Sequence, residues 1–221
     1  VIWSDLYRMD FQPAEGPAHY PEHDGPFDPL KVQEAAANNN LLSPEIQTEI
    51  AKIRQADRII FHFPMWWFAP PAMLKGWFDR VLVHGALHDV DNRFDTGLCR
   101  DKKALFCVTT GASEIESGAG GKEADASMLL WPTAYVLRYC GFQICQPVLV
   151  HGVHGYHEGQ QQEALQARLR HVLETQKQRM AEFDALPLMA FNADTDFDER
   201  GRLKSTAPIV TDFIKLGTDD V

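Results

Sequence analysis

The residues best suited to chemistry in this 221-residue chain are aromatic and lie together. The segment 63–81, FPMWWFAPPAMLKGWFDRV, holds three Trp, three Phe and three Pro in nineteen residues. Aromatic side chains held by prolines form a rigid, flat surface, and such a surface suits a planar ligand. The segment follows an apolar run at 58–62, which predicts a buried strand. We therefore expect a binding shelf for a planar ligand at the carboxyl end of that strand.

A second segment of interest follows the next apolar run, ALFCVTT, which ends at Thr110. It opens with Thr109, Thr110, Gly111 and Ala112 and continues as a Gly-rich loop to about Gly121. Because the carboxyl ends of parallel strands lie at one edge of a sheet, we expect this loop to meet the residues that follow the first strand. Backbone N–H groups and threonine hydroxyls would then supply hydrogen-bond donors around the polar edge of the ligand.

The elements that must position these two loops alternate between strand and helix. Strands are predicted at 1–3, 57–63, 103–110 and 142–151, and helices at 71–82, 126–139 and 158–183. A further helix is predicted to begin at Pro44, with Ile46, Ile50 and Ile53 at helical spacing. Ser43 before Pro44 is a helix start signal, and Pro132 predicts a kink or a late start in the third helix. Residues 8–40 have no clean period and are predicted to be a long surface loop, and residues 83–100, rich in His and Asp, are predicted to form another loop.

This alternation indicates an α/β fold with a doubly wound parallel sheet and helices on both faces. The sequence contains no GxGxxG and no GxxxxGK motif, which disfavours the dinucleotide-binding and P-loop versions of such a sheet. The flavodoxin-like version is favoured, because its ligand sits on loops that follow successive strands. We predict a domain over residues 1–183 and an irregular C-terminal extension, 184–221, packed on it.

Composition narrows the classes of partner. Apolar residues make up 45% of the chain and the net charge is −10, which disfavours nucleic acid and anionic lipid as partners. Four cysteines are too sparse for a disulfide framework, and Cys107 and Cys140 lie in apolar runs, where small buried side chains are expected. The sequence shows neither a long apolar run nor a signal peptide, so a cytoplasmic location is expected.

The aromatic segment resembles the flavin-binding segment of the NAD(P)H:quinone oxidoreductases, the DT-diaphorase-like family of flavodoxin-like flavoproteins. The pattern of that family reads FPxxWFxxPAxLKGWFxRV. Shorter matches follow in the order of the family: SDLY at 4–7, LSP at 42–44, KKA at 102–104, TTG at 109–111, LWP at 130–132 and CGFQ at 140–143. The resemblance implies reduction of quinones by NAD(P)H, FAD as cofactor with FMN as the alternative, and a homodimer.

The resemblance also implies which residues contact the flavin. They lie in the two loops: Pro64, Met65, Trp66, Trp67, Phe68, Thr109, Thr110, Gly111 and Ala112. Trp67 and Phe68 would form a flat wall for flavin and substrate, and the backbone N–H groups of residues 65–68 and 111–112 would supply donors. The alternative interpretation of the three consecutive aromatic residues is core packing or a dimer patch. His88 and His154 are further candidate substrate contacts, with an exposed loop histidine as the alternative for His88.

Two residues mark a departure from the family. Counted without gaps, Ser117 stands at the position of a family Tyr and Glu123 at that of a family His, two residues that assist hydride transfer. Ser117 and Glu123 are therefore the candidate catalytic residues, with a solvated loop residue as the alternative interpretation of each. A serine cannot stabilise charge as a phenol can, so a slower or differently tuned reductase is expected.

The His-rich segment 151–157 invites a metal site, but its two glycines indicate a loop rather than a helix carrying ligands, and no metal is predicted. His154 or Tyr156 could instead contact substrate or the flavin edge. In the family, an opening strand, a phosphate-binding loop and a first helix would lie before Val1. We therefore expect a natural chain longer by about 40 residues, one strand–helix unit, or else poor flavin binding.

A function from another class is a regulatory flavoprotein subunit of a potassium-efflux-type transporter, with weak reductase activity. Some members of the wider family bind such membrane transporters, and the departures at Ser117 and Glu123 favour this alternative. Robust NAD(P)H oxidation without a membrane partner would favour the enzyme, whereas flavin binding with negligible turnover would favour regulation.

Overall fold

A parallel sheet forms the centre of the computed structural model, which describes residues 1–217. Strand β1 (Arg58–Pro64) pairs along its whole length with β2 (Lys103–Thr109). On the other side of β2 lie β3 (Gln143–Ile144) and β4 (Val148–Val150), which pair with its beginning and its end. These two short strands replace the single strand predicted at 142–151. The interruption contains Pro147, which has no N–H to donate to a ladder.

The helices follow the predicted order with two additions, Pro29–Asn38 and Glu114–Ser117. They are α1 (Pro29–Asn38), α2 (Pro44–Gln55), α3 (Ala72–Val81), α4 (Glu114–Ser117), α5 (Ala126–Leu129), α6 (Trp131–Tyr139) and α7 (Gly159–Ala181). The Ser43 side chain accepts a hydrogen bond from the Ile46 N–H at 3.5 Å, so the predicted N-cap is confirmed. The kink expected at Pro132 is a break between α5 and α6, with Pro132 in the first turn of α6.

Helices cover both faces of the sheet, because successive side chains of a strand point to opposite sides. Phe106 and Val108 of β2 belong to the main core, which also contains buried residues of α2, α3 and α6. Leu105 and Cys107 face the other way and pack with Phe183, just beyond α7. The predicted α/β sheet with helices on both faces is therefore confirmed.

The N-terminal third departs most from the sequence predictions. Residues 1–3 form no strand and are exposed, because no strand lies beside them within residues 1–217 to complete a ladder. Residues 8–40 are not a surface loop. Phe11 and Tyr20 are buried, and α1 places Val32 in the core. The Gln33 side chain ties this region to α3 by donating to the Asp79 carbonyl at 2.9 Å.

The C-terminal segment lies against the sheet and α6. Leu188 forms an antiparallel bridge with Cys145, and the Met189 N–H donates to the Ile144 carbonyl at 2.8 Å. Buried Arg138 of α6 pairs with Asp95, whose second carboxylate oxygen accepts the backbone N–H of residue 194 at 2.6 Å. The domain division at residue 183 stays a prediction, and residues 218–221 of the predicted extension lie outside the described part of the chain.

Candidate active site

The aromatic shelf is built on a strained two-residue hairpin turn. Trp66 and Ala69 exchange both backbone hydrogen bonds, at 3.0 and 3.1 Å, so Trp67 and Phe68 are the central residues of the turn. Their φ angles are 50° and 63°, the left-handed values of a type I′ turn. Such turns normally contain Asn-Gly, because a side chain with a β-carbon makes the left-handed region costly.

The turn displays its aromatic rings to solvent. Trp66 is 55% exposed, Trp67 94% and Phe68 52%. Core packing is therefore the wrong interpretation of these three residues, whereas a dimer patch remains consistent with their exposure. A strained backbone that presents large apolar rings to water contributes little to folding, and strain of this kind clusters at ligand sites.

A cavity of about 420 Å³ brings the two predicted loops together. Its lining comprises Pro64, Met65, Trp66, Trp67, Thr109, Gly111 and Val153. The two loops lie side by side because β1 pairs with β2 in a register that places Pro64 opposite Thr109 at the ends of the two strands. Val153 was missed by the sequence analysis. The available signal was its place just beyond the carboxyl end of the last predicted strand, at the same edge of the sheet.

The backbone donors at this edge are fewer than the sequence suggested. The Met65 N–H donates to the Thr109 carbonyl at 2.8 Å, and the Trp66 N–H is used within the turn, so neither is available to a ligand. Within residues 1–217, no hydrogen bond uses the N–H of Trp67, Phe68 or Gly111. Three unpaired N–H groups therefore lie in the two loops that form the cavity.

The segment after β4 forms the third side of the site. The Thr110 N–H donates to the Val150 carbonyl at 3.0 Å, the Val153 N–H to the Thr110 carbonyl at 2.9 Å, and the Gly152 N–H to the Ala112 carbonyl at 2.8 Å. This pairing brings His154 beside Gly111: its Cβ lies 4.0 Å from where a β-carbon on Gly111 would stand. The His154 ring stacks on the His157 ring with a centroid separation of 3.9 Å.

The two candidate catalytic residues do not line the cavity. Ser117 is 4% exposed, so a solvated loop serine is the wrong interpretation. Its Oγ lies 2.8 Å from the Ser113 carbonyl oxygen and 2.8 Å from His151 Nδ1. Glu123 is half-buried, and its N–H donates to the Glu116 carbonyl at 2.9 Å, which closes the loop on itself.

His88 lies in a second, aromatic cavity of about 510 Å³ between α3 and α6. Its ring packs against Tyr139 at a centroid distance of 5.1 Å, and it is half-buried rather than exposed. Nε2 lies 3.1 Å from the Leu82 carbonyl oxygen, and Nδ1 is buried without a partner in the described chain. Burial lowers the pKa of His88 below its usual value, so the imidazole is neutral near pH 7. Because His88 and Trp67 line different cavities, a single chain does not bring these two residues together.

The types of side chain that line the first cavity limit which ligands it can bind. The lining of the first cavity contains neither Lys nor Arg, so the described residues offer no cationic partner there for a phosphate group. Among residues 1–217, no cluster of three or more His, Cys, Asp or Glu is arranged to hold a metal ion. In the same range, no helix is long and apolar enough to span a membrane.

Comparison with known proteins agrees with this architecture. A family model described as a flavodoxin-like fold matches residues 1–175. The chain is 38% identical over 157 residues to rat NAD(P)H dehydrogenase [quinone] 1, covering 69% of this chain and 57% of the rat protein. It is 37% identical over 154 residues to human ribosyldihydronicotinamide dehydrogenase [quinone], covering 66% of this chain and 65% of that protein. The chain thus spans less than two thirds of the length of these relatives.

A solved structure extends the comparison to the fold. A Klebsiella pneumoniae protein assigned as a quinone reductase superposes with a TM-score of 0.75 at 25% sequence identity. The superposition covers 91% of this chain and 80% of that protein. The aromatic turn, the Gly-rich loop and the parallel sheet therefore occur in a chain whose similarity extends over most of its length.

Proposed function

The chain belongs to a protein family with a flavodoxin-like fold, and we propose that the natural protein is a flavin-dependent oxidoreductase that reduces quinones with NAD(P)H. One observation carries the proposal: two exposed aromatic residues occupy strained backbone positions beside a cavity and three unpaired N–H groups. The relatives named above are dehydrogenases and reductases of quinones, which favours this reaction over other uses of a planar-ligand site.

The residues present fit the ring portion of a flavin. Trp67 lines the cavity and gives an apolar wall, with Phe68 exposed beside it in the turn, and the Gly111 N–H, with the N–H groups of the turn, can donate to the polar edge of the ring. A bound flavin accepts a hydride from NAD(P)H and passes it to the quinone. FAD is favoured over FMN by the family resemblance. Both flavin nucleotides carry phosphates, for which the described cavity lining has no cation.

A homodimer would complete the substrate slot. Trp67 lines the first cavity and is almost fully exposed, and the second cavity, which His88 and Tyr139 line, is an aromatic concavity elsewhere on the same chain. We propose that the second cavity of one protomer covers the aromatic shelf of the other. His88, in the lining of the second cavity, would then belong to the other wall of the substrate slot.

Absorbance spectroscopy of the purified full-length protein tests the reaction. A flavin spectrum should bleach on anaerobic addition of NADPH or NADH, and it should return when menadione is added. Replacing Trp67 with Ala should weaken flavin binding about tenfold or more, because a stacking face is lost. The matched control is Tyr7→Ala, which removes an exposed aromatic ring outside the cavity lining. Absence of flavin, or equal effects of both substitutions, would contradict the proposal.

Oligomeric state is tested separately. Val136 lies on α6 in the lining of the second cavity, and Leu173 is an exposed residue on α7. Val136→Glu should convert the dimer into monomers and slow quinone reduction, while Leu173→Glu should change neither property. Light scattering after gel filtration measures the mass. A monomeric natural protein with full activity would refute the shared slot.

The proposed location is the cytoplasm, since all four cysteines are free and buried, as expected in a reducing compartment. The regulatory alternative gains no support from the relatives named above. Robust turnover by the purified protein would count against it.

A further inference from the structure

A hydrogen bond between Ser117 and His151 joins two segments that border the first cavity. Ser117 closes α4 in the loop that follows β2, and His151 directly follows β4. The Ser117 Oγ to His151 Nδ1 distance is 2.8 Å, and the serine is buried. Neither residue lines the cavity itself, so contact with a ligand in it does not account for their pairing.

The bond is satisfied whichever way the hydrogens are arranged. Ser113 O lies within 2.8 Å of the Ser117 hydroxyl and already accepts the N–H groups of residues 116 and 117. If the hydroxyl donates to Ser113 O, a neutral imidazole with hydrogen on Nδ1 donates to Oγ. If the hydroxyl donates to Nδ1, the other tautomer carries its hydrogen on Nε2. Both arrangements keep the loop attached to His151.

His151 is itself held in place by its backbone. Arg168 of α7 donates from Nη2 to the His151 carbonyl at 2.6 Å. On either side of His151, the segment pairs with the loop through Val150 and Gly152, whose partners are Thr110 and Ala112. The side-chain bond to Ser117 therefore adds a second attachment point for the same loop.

Gly111 lies between those two backbone pairs, and its N–H is one of the unpaired donors at the cavity. A Gly residue has more backbone freedom than any other, so the direction of this N–H depends on how firmly its neighbours are held. Anchoring both ends of the 110–117 loop to one rigid segment restricts that direction. Donors aimed in advance at the edge of a ligand are more effective than donors that must reorganise on binding.

We propose that His151 and Ser117 are positioning residues for the flavin edge. Their hydrogen bond holds the 110–117 loop so that the Gly111 N–H faces the bound ring, and it thereby sets the affinity and the reduction potential of the cofactor. This inference rests on the proposed function. It also reassigns Ser117, which the sequence suggested as a catalytic residue, to a supporting role.

Flavin affinity of full-length variants tests the inference. Ser117→Ala and His151→Leu should each raise the flavin Kd about 2- to 12-fold, the range expected for one hydrogen bond. The double variant should be no weaker than the worse single variant, because both changes remove the same bond. His151→Asn, whose amide can replace Nδ1, should restore binding to within about twofold of the natural protein. His171→Leu, on exposed α7, is the matched control.

Two further measurements separate positioning from general stability. The midpoint potential of bound flavin should shift in Ser117→Ala and His151→Leu and return in His151→Asn, whereas a merely structural role would lower only the unfolding free energy. Additive effects on Kd, or unchanged Kd and potential in folded variants, would overturn the inference. If Ser117→Ala does not fold, the flavin Kd and midpoint potential of His151→Leu, compared with those of His151→Asn, test the inference. Absence of flavin from the natural protein would overturn both this inference and the proposed function, whereas normal binding with insensitive variants overturns only this one.

Discussion

Replacing the turn residues by Trp67→Asn and Phe68→Gly should stabilise the fold while destroying the ligand shelf. Asn-Gly is the preferred pair for a type I′ turn, and both present residues have positive φ. Relief of the left-handed strain is worth about 1–2 kcal/mol per residue. Against this gain stand about 0.5–1 kcal/mol for the flexibility of Gly in the unfolded chain and about 1 kcal/mol for the partly buried Phe68 ring.

The net gain in unfolding free energy is therefore about 1 kcal/mol for the flavin-free protein. In a chain of this size it corresponds to a rise in Tm of about 2–4 °C. Flavin affinity should move in the opposite direction. Two aromatic faces contribute about 0.5–1.5 kcal/mol each beyond their buried area, so the Kd should rise about tenfold or more.

Urea denaturation of the flavin-free protein and flavin fluorescence titration measure these two quantities. Asp10 provides a control, because it has a positive φ of 51° in an exposed position outside the site. Asp10→Gly should leave flavin affinity unchanged. A loss of stability in the turn variant would show that the turn is not strained. Unchanged flavin affinity would show that the aromatic shelf is not the binding surface.

Three buried positions carry the remaining predictions. Gly76→Ala should lower the free energy of unfolding by about 2 kcal/mol in urea denaturation, because the added β-carbon would lie 2.2 Å from the Pro13 carbonyl oxygen. The same substitution in an uncrowded helix raises the free energy of unfolding, so a rise here would contradict this packing. The Trp77 indole N–H donates to the Glu49 carboxylate at 2.9 Å. Glu49→Leu should lower the free energy of unfolding by about 3 kcal/mol in the same assay, because it leaves this buried N–H without a partner. An unchanged free energy of unfolding would show that Glu49 does not stabilise the fold in this way. Burial raises the pKa of the Cys140 thiol to about 12, so the unfolded chain ionises first and stability should fall as pH rises from about 9 towards 12. Cys140→Ala should flatten that fall in pH-dependent denaturation, and an unchanged slope would contradict the assignment.

The sheet was predictable because its signal is local. The apolar runs at 57–63 and 103–110 end within one residue of β1 and β2, since every residue of a strand covered on both faces is under pressure to be apolar. Placement of the two candidate loops at one edge then follows from parallel pairing alone. The helix starts at Ser43 and Pro71 likewise depend on neighbouring residues in sequence, so they could be read without the fold.

The misplaced parts depend on contacts between residues distant in sequence. Phe11 and Tyr20 belong to a segment without periodicity, and the Phe11 ring packs against the Arg80 guanidinium of α3, far along the chain. The Ser117–His151 bond joins residues 34 positions apart in two loops, so no spacing rule indicates it. The turn at Trp67 escaped prediction for the opposite reason. Its residues disfavour the conformation that they adopt, and the surrounding strand ends impose it.

The antiparallel stretch at Pro187–Met189 has a consequence for self-association. The free edge of a sheet is a template on which a second chain can add a strand, and natural proteins close such edges with prolines or covering segments. Here the C-terminal segment occupies the outer side of β3 and of the gap before β4, where Gln146 N–H donates to the Pro187 carbonyl at 2.8 Å. The segment predicted as an irregular extension thus covers this edge of the sheet. Without it, copies of the sheet could pair along this edge and aggregate.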